Sequence, residues 1–418
     1  MTERTQCVVA GGGPAGMMLG LLLARAGVEV TVLEKHRDFL RDFRGDTVHP
    51  STLRLLDELG LGARFARLRA ERLEQMRIQI GSTTTVLADF RRIPGRHKYI
   101  AMVPQWDFLD LLATAAAEEP SFTLRMDSTV TGLRRNGSGR VTGVYYRDAD
   151  GADCELAAEL TVGCDGRWSA VRREAGLAVV DFAIPMDVWQ VRIPKHDNAR
   201  TGEVFGRFGD GQVAVTMDRG DYFQTSYLIE KGADERLRAR DIAEFRIRLA
   251  EMFGWPEQQV ATVRSWDEVK LLRAEMNRLR RWYGDGVLCI GDAAHTMSPV
   301  GGVGVNLAVQ DAVATARILA EPLRRGQLTT RDLARVQRRR SLPTIVAQRS
   351  QRGEHDLLLR PALAGTLDER RLPMPLRALR RIPALRGLTA YLGGIGLRPE
   401  HAPSFAYRAP NLDSVEQS

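Results

Sequence analysis

The sequence predicts an α/β fold in which a parallel sheet is interleaved with a second, strand-rich domain and followed by a helical C-terminal region. Three observations indicate this fold. A buried strand, a glycine-rich turn and a helix follow one another within residues 7–27. Two more apolar runs, at residues 158–163 and 286–290, end in turns of glycine and aspartate. Apolar and polar residues alternate through much of residues 181–270, as in a sheet with two different faces.

The first motif is a strand followed directly by Gly11-x-Gly13-x-x-Gly16. Gly11 permits a tight turn, Gly13 lets the backbone approach a pyrophosphate, and Gly16 allows the helix to pack closely on the strand. The helix begins near Pro14, which suits a first turn, and its N-terminal amides favour an anion. A glycine turn alone is weak evidence, because such turns also occur for structural reasons.

The elements after this turn strengthen the prediction. The helix is expected to end at Gly27, and residues 28–33 form the second predicted strand. Glu34 closes that strand, about twenty residues beyond the turn, where a carboxylate can accept hydrogen bonds from ribose hydroxyls. The loop that follows holds Arg44 and His49, which are either solvated loop residues or, as we favour for Arg44, a cofactor contact. Together these features predict a nucleotide site.

Composition excludes several classes of protein. The net charge of +8 is carried almost entirely by arginines spread along the chain, without the aromatic-interleaved basic face of a nucleic-acid binder. The four cysteines do not have metal-ligand spacing, so no metal site is expected. We interpret them as buried thiols of a protein in a reducing compartment. No run of eighteen apolar residues occurs. We therefore expect a cytoplasmic protein without stable membrane insertion or a nucleic-acid partner.

We expect two interwoven domains, since 418 residues with 44% hydrophobic content can bury one large or two ordinary cores. Residues 75–90 alternate around a turn at Gly81-Ser82, which predicts a hairpin that interrupts the nucleotide domain. The predicted nucleotide-binding domain comprises residues 1–75, 98–180 and 275–360, and the second domain comprises residues 76–97 and 181–274. Residues 361–418 are predicted to form a C-terminal helical region and a loose tail.

The second domain is expected to contribute a ligand cleft. Strands are predicted at residues 188–193, 203–208, 212–217, 222–229 and 262–271, with a helix at 239–253. Many large aromatic residues lie here: Trp189, Phe205, Phe208, Tyr222, Phe223, Tyr227 and Trp266. Some of them must be core. A sheet covered by its own helices on one face and facing the nucleotide domain on the other would line a cleft for an apolar or aromatic ligand.

Two later motifs return to the parallel sheet. The first, CDGRWSAVR at 164–172, places Asp165 at the carboxyl edge, where open α/β folds bind ligands. The second, GDAAHTMSPVGGVGVN at 291–306, precedes a helix predicted at 307–319. Asp292 would accept hydrogen bonds from sugar-like hydroxyls, and the helix beyond Gly304 would stabilise negative charge on a ring system. The simplest interpretation is that one sheet holds both ends of a long dinucleotide.

The C-terminal region is rich in arginine and in prolines that break it into short helices. Between Leu376 and Leu392, leucines recur at helical spacing. They fit either packing against the protein itself, which we favour, or an amphipathic patch at a membrane surface.

These three motifs, GGGPAG at 11–16, CDGRWSAVR at 164–172 and GDAAHTMSP at 291–299, resemble the FAD-dependent aromatic hydroxylases of the para-hydroxybenzoate hydroxylase type. Their order and spacing match over nearly the whole chain. The resemblance implies a Rossmann-like FAD-binding domain of that type. It also implies FAD as cofactor, NADPH or NADH as a transient electron donor, and a small aromatic substrate, phenolic or polycyclic. In that family, reduced FAD reacts with O2 to a C4a-hydroperoxide, which hydroxylates the ring.

The resemblance also implies roles for individual residues. The cofactor-binding positions are Gly11, Gly13, Pro14, Ala15, Gly16, Glu34, Lys35, Arg44, Gln105, Asp165, Gly166, Ser169, Arg172, Asp292, Pro299, Gly302, Val303, Gly304, Val305 and Asn306. Val303 departs from the glutamine that many members carry there. Catalytic residues are not assigned. The candidates near the flavin ring are His49, His295 and Pro299, although His295 more readily supports its loop than acts as an acid or base.

Other flavoproteins of this shape remain alternatives. Halogenases carry a Trp-x-Trp-x-Ile-Pro signature, and Val191 replaces the second tryptophan here, which disfavours halogenation. A flavin-dependent reductase or dehydrogenase without oxygen insertion is the second hypothesis, and a non-catalytic flavin-binding redox protein is the third. Either NADH or NADPH fits the sequence, and we assign neither a particular substrate nor an oligomeric state from it.

Overall fold

The computed structural model describes residues 3–40, 47–195 and 204–408. Its strands are β1 (Glu3–Ala10), β2 (Val30–Leu33), β3 (Thr47–Val48), β4 (Glu71–Leu73), β5 (Gln75–Ile80), β6 (Thr83–Asp89), β7 (Ile100–Met102), β8 (Phe122–Arg125), β9 (Thr129–Arg135), β10 (Val141–Arg147), β11 (Asp153–Gly163), β12 (Val179–Asp181), β13 (Met186–Pro194), β14 (Val204–Gly209), β15 (Gln212–Asp218), β16 (Tyr222–Glu230), β17 (Lys270–Leu272), β18 (Asn277–Leu279), β19 (Tyr283–Gly284) and β20 (Val287–Cys289).

The α-helices are α1 (Pro14–Arg25), α2 (Pro50–Glu58), α3 (Gly62–Ala66), α4 (Gln105–Ala117), α5 (Ala170–Glu174), α6 (Asp234–Arg238), α7 (Ile242–Phe253), α8 (Glu257–Val260), α9 (Gly304–Arg324), α10 (Thr330–Glu354), α11 (Arg360–Leu363), α12 (Met374–Arg381) and α13 (Pro383–Gly394). A π-helical turn, His355–Leu359, joins α10 to α11.

The first sheet has a parallel centre in the order β20-β11-β1-β2-β8, with β19 antiparallel at one edge. The antiparallel strands β10 and β9 extend from the first half of β11. Strands β1 and β2 are apolar because both of their faces are covered, and helices α1 and α9 belong to the same buried core. The predicted first strand, glycine turn, helix and second strand are confirmed, with Gly27 in a left-handed conformation after α1.

The second sheet has seven strands in the order β17-β13-β16-β15-β14-β5-β6. The predicted hairpin β5–β6 joins it through parallel pairing of β5 with β14, and the other neighbours are antiparallel. The segment at residues 75–90 therefore belongs to this sheet rather than to the parallel one. Its addition widens the sheet face that lies toward the nucleotide-binding elements.

The aromatic residues of this sheet, some of which were expected in the core and others at the cleft, lie mainly on its outer face. Trp189, Tyr227 and Phe245 pack with Trp266 in one aromatic core beneath α7. A groove of about 630 Å³ on this outer face is lined by the same rings and by arginines of α6, α7 and α11. The period of two explains the placement, since alternate residues of β13 from Trp189 onward face α7. Phe208 is an exception and lies on the opposite face, in a cluster with Ile78 and Val213.

The predicted strand at residues 262–271 is largely wrong. Only Lys270–Leu272 pairs as a strand, whereas Trp266–Glu268 forms a 3-10 turn. Ser265 caps that turn by accepting a hydrogen bond from the amide of Asp267, and Trp266 packs into the aromatic core. Local capping and burial of one tryptophan thus outweigh the alternating pattern.

The C-terminal helices cover the hairpin. Leu376 and Leu379 of α12 are buried in the cluster that contains Ile78, and Ala390 of α13 is buried against Phe90 and its neighbours. The prediction of short, proline-broken helices is confirmed. The predicted loose tail at residues 411–418 lies outside the described residues.

Candidate functional site

The carboxyl ends of four parallel strands meet at one edge of the sheet. In the strand register, Ala10 lies beside both Leu33 and Gly163, and Gly163 lies beside Cys289. The residues that follow these strands are the glycine turn, Glu34, the Asp165 turn and the Asp292 turn. The tertiary structure therefore brings together motifs that are separated by almost three hundred residues.

The glycine turn is built for close approach of backbone to a ligand. Gly11 has a φ of 101°, and a Cβ there would lie 2.6 Å from the carbonyl oxygen of Cys164. A Cβ on Gly16 would lie 1.9 Å from the carbonyl oxygen of Gly11, whereas one on Gly13 would meet no atom within 4 Å. Gly13 is also the N-cap of α1, with Pro14 at the first position. The first amides of the helix therefore face open space beside a residue without a side chain, as a pyrophosphate requires.

Glu34 lies directly after β2 and is buried. Its carboxylate accepts hydrogen bonds from the amide of Gly12 (2.8 Å) and from the amide of His36 (3.1 Å). The acid is thereby fixed beside the glycine turn. Lys35 is exposed at the surface, and Gln105 is the half-buried first residue of α4. Arg44 lies outside the described residues.

Asp165 contributes a buried acceptor at the same edge. Its Oδ2 accepts a hydrogen bond from the amide of Val171 (3.1 Å), and Gly166 has a φ of 80°. Ser169 caps α5 by accepting a hydrogen bond from the amide of Arg172 (2.9 Å). The Oδ1 atom is buried and has no hydrogen-bond partner among the described residues, and burial raises the pKa of this carboxyl. An unsatisfied buried acceptor beside Gly11 suits the hydroxyl donors of a ribose or ribityl chain.

The Asp292 turn lies across the sheet edge from the glycine turn. Asp292 stands in the 3-10 turn that follows β20, and Pro299 is exposed in the loop beyond it. Gly302 has a φ of 62°, and its carbonyl accepts a hydrogen bond from the hydroxyl of Thr47 (3.0 Å). Gly304 begins α9, and Val303, its N-cap, offers no side-chain hydrogen bond to the helix. The first amides of α9 therefore have no acceptor within the helix and can donate hydrogen bonds to a ligand.

Asn306 ties this loop to the first half of the chain. Its side-chain oxygen accepts hydrogen bonds from the hydroxyls of Ser51 (2.8 Å) and Thr52 (2.7 Å) in α2. Its neighbour Val305 is half-buried against the central core. Because α2 follows the loop after Glu34, these bonds fix the distance between the two ends of the site.

His295 is held in a buried ion-pair network behind the turn. Its Nε2 lies 2.6 Å from Asp311 of α9, which also accepts hydrogen bonds from the amide of Gly291 and from Arg340 of α10. Burial alone raises the pKa of Asp311, but pairing with His295 and Arg340 outweighs burial and lowers that pKa, so the carboxylate stays charged. His295 is 1% exposed. His295 therefore supports the loop, and its burial denies it access to a substrate.

Glu400 extends this network to the end of the described chain. It is fully buried and forms a two-point hydrogen bond with Arg339 (2.6 and 2.8 Å). It also lies 3.8 Å from Arg340. The nearby amide of Ala402 donates to Glu58 of α2 (2.7 Å). The C-terminal segment thus contacts both α10, through Glu400, and α2, through Ala402.

A second buried histidine lies beside the loop. His355, in the π-helical turn, places its Nε2 2.9 Å from the hydroxyl of Ser298, and both residues are 2% exposed. Gln351 donates to the carbonyls of Ser298 and Val300 on either side of Pro299. These contacts fix the backbone of Pro299 from the side of α10.

His49 lies between the loop and the C-terminal helices. Its Nδ1 donates to the carbonyl of Gly393 at the end of α13 (2.9 Å), and the residue is 1% exposed. Its Nε2 is buried and has no hydrogen-bond partner among the described residues. Burial lowers the pKa of His49 from 6.5 to about 4. A neutral imidazole at this position packs against the site and is not positioned as a solvent-connected acid or base.

Burial of His49 is expected to make the free energy of unfolding depend on pH. Between pH 6.5 and 4 the unfolded chain binds a proton that the folded chain does not, so the free energy of unfolding falls as the pH falls. This one group accounts for about 3 kcal/mol across that window. The variant His49→Asn should lose this component, measured as a smaller difference in denaturation midpoint between pH 7 and pH 4. An identical pH dependence in both proteins would contradict the assignment.

The cleft face of the seven-stranded sheet combines apolar and hydrogen-bonding side chains. One row across β13, β16 and β15 consists of Gln190, Ser226 and Val215, with the hydroxyl of Ser226 donating to Gln190 (3.1 Å). In the next row Gln224 accepts two hydrogen bonds from Arg219 (3.1 and 2.9 Å). Apolar clusters flank these polar groups. Such a wall matches a flat apolar ligand that carries a few polar substituents.

Fold and site together define a flavoprotein. The glycine turn and α1 offer a pyrophosphate site, while Glu34 and the unsatisfied oxygen of Asp165 offer hydroxyl acceptors. The second helix terminus, at Gly304, lies at the other end of the same edge. These features fit an extended FAD, whose isoalloxazine supplies the redox chemistry when bound.

Comparison with known proteins identifies the family. The model of the FAD binding domain family matches residues 4–349. The chain is 33% identical over 387 residues to 6-methylpretetramide 4-monooxygenase of Streptomyces rimosus, and the match covers 92% of this chain and 91% of that one. The chain therefore belongs to this FAD-binding family, and it is an FAD-dependent aromatic monooxygenase. The resemblance stated from the motifs is confirmed.

Solved structures confirm the fold. The OxyS anhydrotetracycline hydroxylase from Streptomyces rimosus aligns with a TM-score of 0.73 and 24% identity, covering 95% of this chain and 77% of that one. PqsL of Pseudomonas aeruginosa, described as a probable FAD-dependent monooxygenase, aligns with a TM-score of 0.71 and 22% identity, covering 86% and 97%. Both similarities support the predicted α/β architecture.

Several residues of the site carry weak signals in the sequence. Asp311 stands in the apolar run of α9, and a lone acid in such a run indicates a buried partner. Arg340 is one of three consecutive arginines, and Glu400 follows a proline near the end of the chain. Nothing in the local pattern separates these last two from surface charges. Their role depends on contacts between distant segments.

Proposed function

We propose that this enzyme hydroxylates a fused-ring phenol, with NADPH or NADH as electron donor and O2 as oxygen source. The observation that carries the proposal is the 33% identity to 6-methylpretetramide 4-monooxygenase along nearly the full length of both chains. Anhydrotetracycline monooxygenase of Streptomyces rimosus, at 28% identity, supports the same substrate class. We infer a substrate chemically related to the compounds in these names.

The cleft face is consistent with that class. Fused rings bury a large flat apolar area, part of which the partly buried Val215 and Met217 can cover. The amides of Gln190 and Gln224, 7% and 5% exposed, offer hydrogen bonds that orient ring hydroxyl or carbonyl groups. A small single-ring substrate would leave much of this wall uncovered, so we favour the larger class.

The protein's own residues then have three tasks. The amides at the N-terminus of α1 would bind the central pyrophosphate of FAD, those at the N-terminus of α9 would stabilise negative charge on its ring system, and Glu34, Asp165 and Asp292 would bind its hydroxyl groups. The C-terminal helices α12 and α13 cover the hairpin and exclude water from the cleft. The nicotinamide cofactor is proposed to dock near Asp165, where Trp168 is 67% exposed beside Arg167.

We also propose that the enzyme works in a reducing, cytoplasmic compartment. Its four cysteines are free, and burial raises the pKa of Cys7, Cys164 and Cys289 above the ordinary thiol value. These thiols are therefore inert packing groups.

A substrate panel tests the proposed function. The purified holoenzyme is supplied with NADPH or NADH under 18O2, together with anhydrotetracycline, a trihydroxyanthraquinone or para-hydroxybenzoate. We expect fused-ring phenols to stimulate nicotinamide oxidation roughly tenfold or more and to gain one 18O atom, because binding energy of the correct substrate can assemble the catalytic site. Rapid oxidation without any 18O-labelled product would favour the reductase hypothesis. Labelling of para-hydroxybenzoate alone would contradict the fused-ring class.

A further inference from the structure

A segment that contains the C-terminal helices α12 and α13 is rich in arginine and free of acidic residues. Residues 370–399 contain seven arginines and neither lysine nor any acidic residue, while the whole chain carries a net charge of +8. The remaining residues together therefore carry +1. Although arginines occur throughout the sequence, their excess over acidic residues is not evenly spread, and four of these seven arginines lie in α12 and α13.

The outward face of α13 is apolar. Ala384, Leu388 and Leu392 recur every fourth residue and are all exposed, Leu388 by 54% and Leu392 by 48%. Ile382, at the junction with α12, is 49% exposed. The one charged residue of α13 is Arg386, which donates to backbone carbonyls at the end of α12. An exposed helix normally carries charge on its solvent face, so this apolar stripe calls for a partner.

The inward face of α13 is already used for packing. Ala390 and Gly394 are buried, and a Cβ on Gly394 would lie 2.9 Å from the ring of Phe90. The hydroxyl of Thr389 donates to the carbonyl of Leu87 in β6 (2.5 Å). Packing against the protein, favoured from the sequence, thus explains the inner residues. It leaves Leu388 and Leu392 unexplained.

The neighbouring helix presents the cations. Arg377, Arg380 and Arg381 of α12 are exposed, and none of them forms an ion pair with another residue in the described part of the chain. Leu376 and Leu379 anchor the opposite face of the same helix in the core. Of two helices that pack against each other, α12 therefore exposes guanidinium groups and α13 exposes apolar side chains.

We propose that α12 and α13 form a peripheral docking surface for an anionic lipid bilayer. The exposed leucines and isoleucine would enter the boundary between headgroups and acyl chains, while the three arginines of α12 would contact lipid phosphates. Charge complementarity argues for an anionic surface. The binding is peripheral, because the one described helix long and apolar enough to span a bilayer, Val300–Arg324, is 72% buried inside the protein.

This surface is continuous with the flavin-binding elements. The carbonyls of Gly393 and Gly394, at the end of α13, accept hydrogen bonds from His49 (2.9 Å) and Ser51 (3.2 Å). A consequence that rests on the proposed function is that a bilayer would present an apolar fused-ring substrate next to the cleft. The lipid contact itself is tested without substrate, so its failure is distinguishable from failure of that function.

Vesicle co-sedimentation of the FAD-loaded enzyme tests the proposal. Vesicles of phosphatidylcholine alone are compared with vesicles containing one third phosphatidylglycerol, at low and at high salt. We expect roughly tenfold or greater enrichment on the anionic vesicles at low salt and loss of most of it at high salt. Equal sedimentation with both vesicle types would overturn the proposal, and an acidic protein would then be the better partner hypothesis.

Variants locate the surface. A Leu388→Ser, Leu392→Ser pair and an Arg377→Gln, Arg380→Gln, Arg381→Gln triple should each lower vesicle binding about tenfold while retaining bound FAD. The matched control changes exposed residues of α10: Arg331→Gln, Arg338→Gln and Leu342→Ser. If this control lowers binding as much as the two test variants do, the assignment to α12 and α13 is wrong.

Discussion

Replacement of Gly13 by alanine is expected to leave the fold intact and to weaken FAD binding at least about 100-fold. Gly13 has φ −73° and ψ −174°, a conformation that alanine adopts without strain. Its Cβ would meet no protein atom within 4 Å. The new methyl group would instead point into the space that a pyrophosphate needs beside the first amides of α1. FAD titration of the apoprotein, followed by flavin fluorescence, measures the loss.

Two matched variants separate cofactor binding from folding. A Cβ on Gly137, in an exposed turn, would also meet no atom within 4 Å, so Gly137→Ala should change neither FAD binding nor stability. Gly16→Ala should damage the fold itself, because its Cβ would lie 1.9 Å from the carbonyl oxygen of Gly11. If Gly13→Ala binds FAD within about threefold of the unchanged protein, the glycine turn is not the pyrophosphate site.

Replacement of Asp311 by asparagine is expected to lower the free energy of unfolding by about 3–5 kcal/mol. The change keeps the shape of the side chain but removes the charge that pairs with His295 and Arg340, each 1% exposed. Arg340 would then be a buried cation whose nearest remaining carboxylate, Glu400, lies 3.8 Å away. Chemical denaturation at saturating FAD measures the loss. Bound FAD should also fall, because loss of the charge weakens the contacts of Asp311 with His295 and Arg340, which support the turn that contains Asp292.

The matched control for this prediction is Glu321→Gln on the same helix. Glu321 is about half exposed and pairs with Arg324 and Arg325 at the surface, where ion pairs contribute at most about 1 kcal/mol. A loss below about 1 kcal/mol for Asp311→Asn would show that the buried network does not stabilise the fold.

Much of the fold was predictable because its signals are local. The strand, the turn of Gly11 to Gly16 and α1 follow one another within the first 25 residues. Gly11 and Gly16 are required by a positive φ or by a close neighbour, whereas a Cβ on Gly13 would point into open space. The hairpin at β5 and β6 was likewise visible in its alternation and turn. The roles of the cofactor-binding residues remain proposals, although the structure gathers most of them at one sheet edge.

The errors have a common cause. Some aromatic residues of the second sheet were expected at the cleft, but strand alternation does not determine which face is turned inward until the neighbouring layers are known. Once α7 covers one face, Trp189 and Tyr227 become its core, and the cleft receives Gln190 and Ser226 instead. The segment at residues 262–271 failed for a similar reason, since capping by Ser265 decided its conformation.

By itself, the sequence determined the class of this protein: an FAD-dependent monooxygenase whose site is assembled from three glycine- and aspartate-containing turns. These turns can be recognised in the sequence because they contain glycine and aspartate at positions where backbone conformation and hydrogen bonding favour them. The tertiary structure decided what surrounds them. It joined Asp311 to Arg340 and connected Glu400 to the same network, and it left Leu388 of α13 exposed. Burial and charge pairing between distant segments depend on packing, which no local pattern contains.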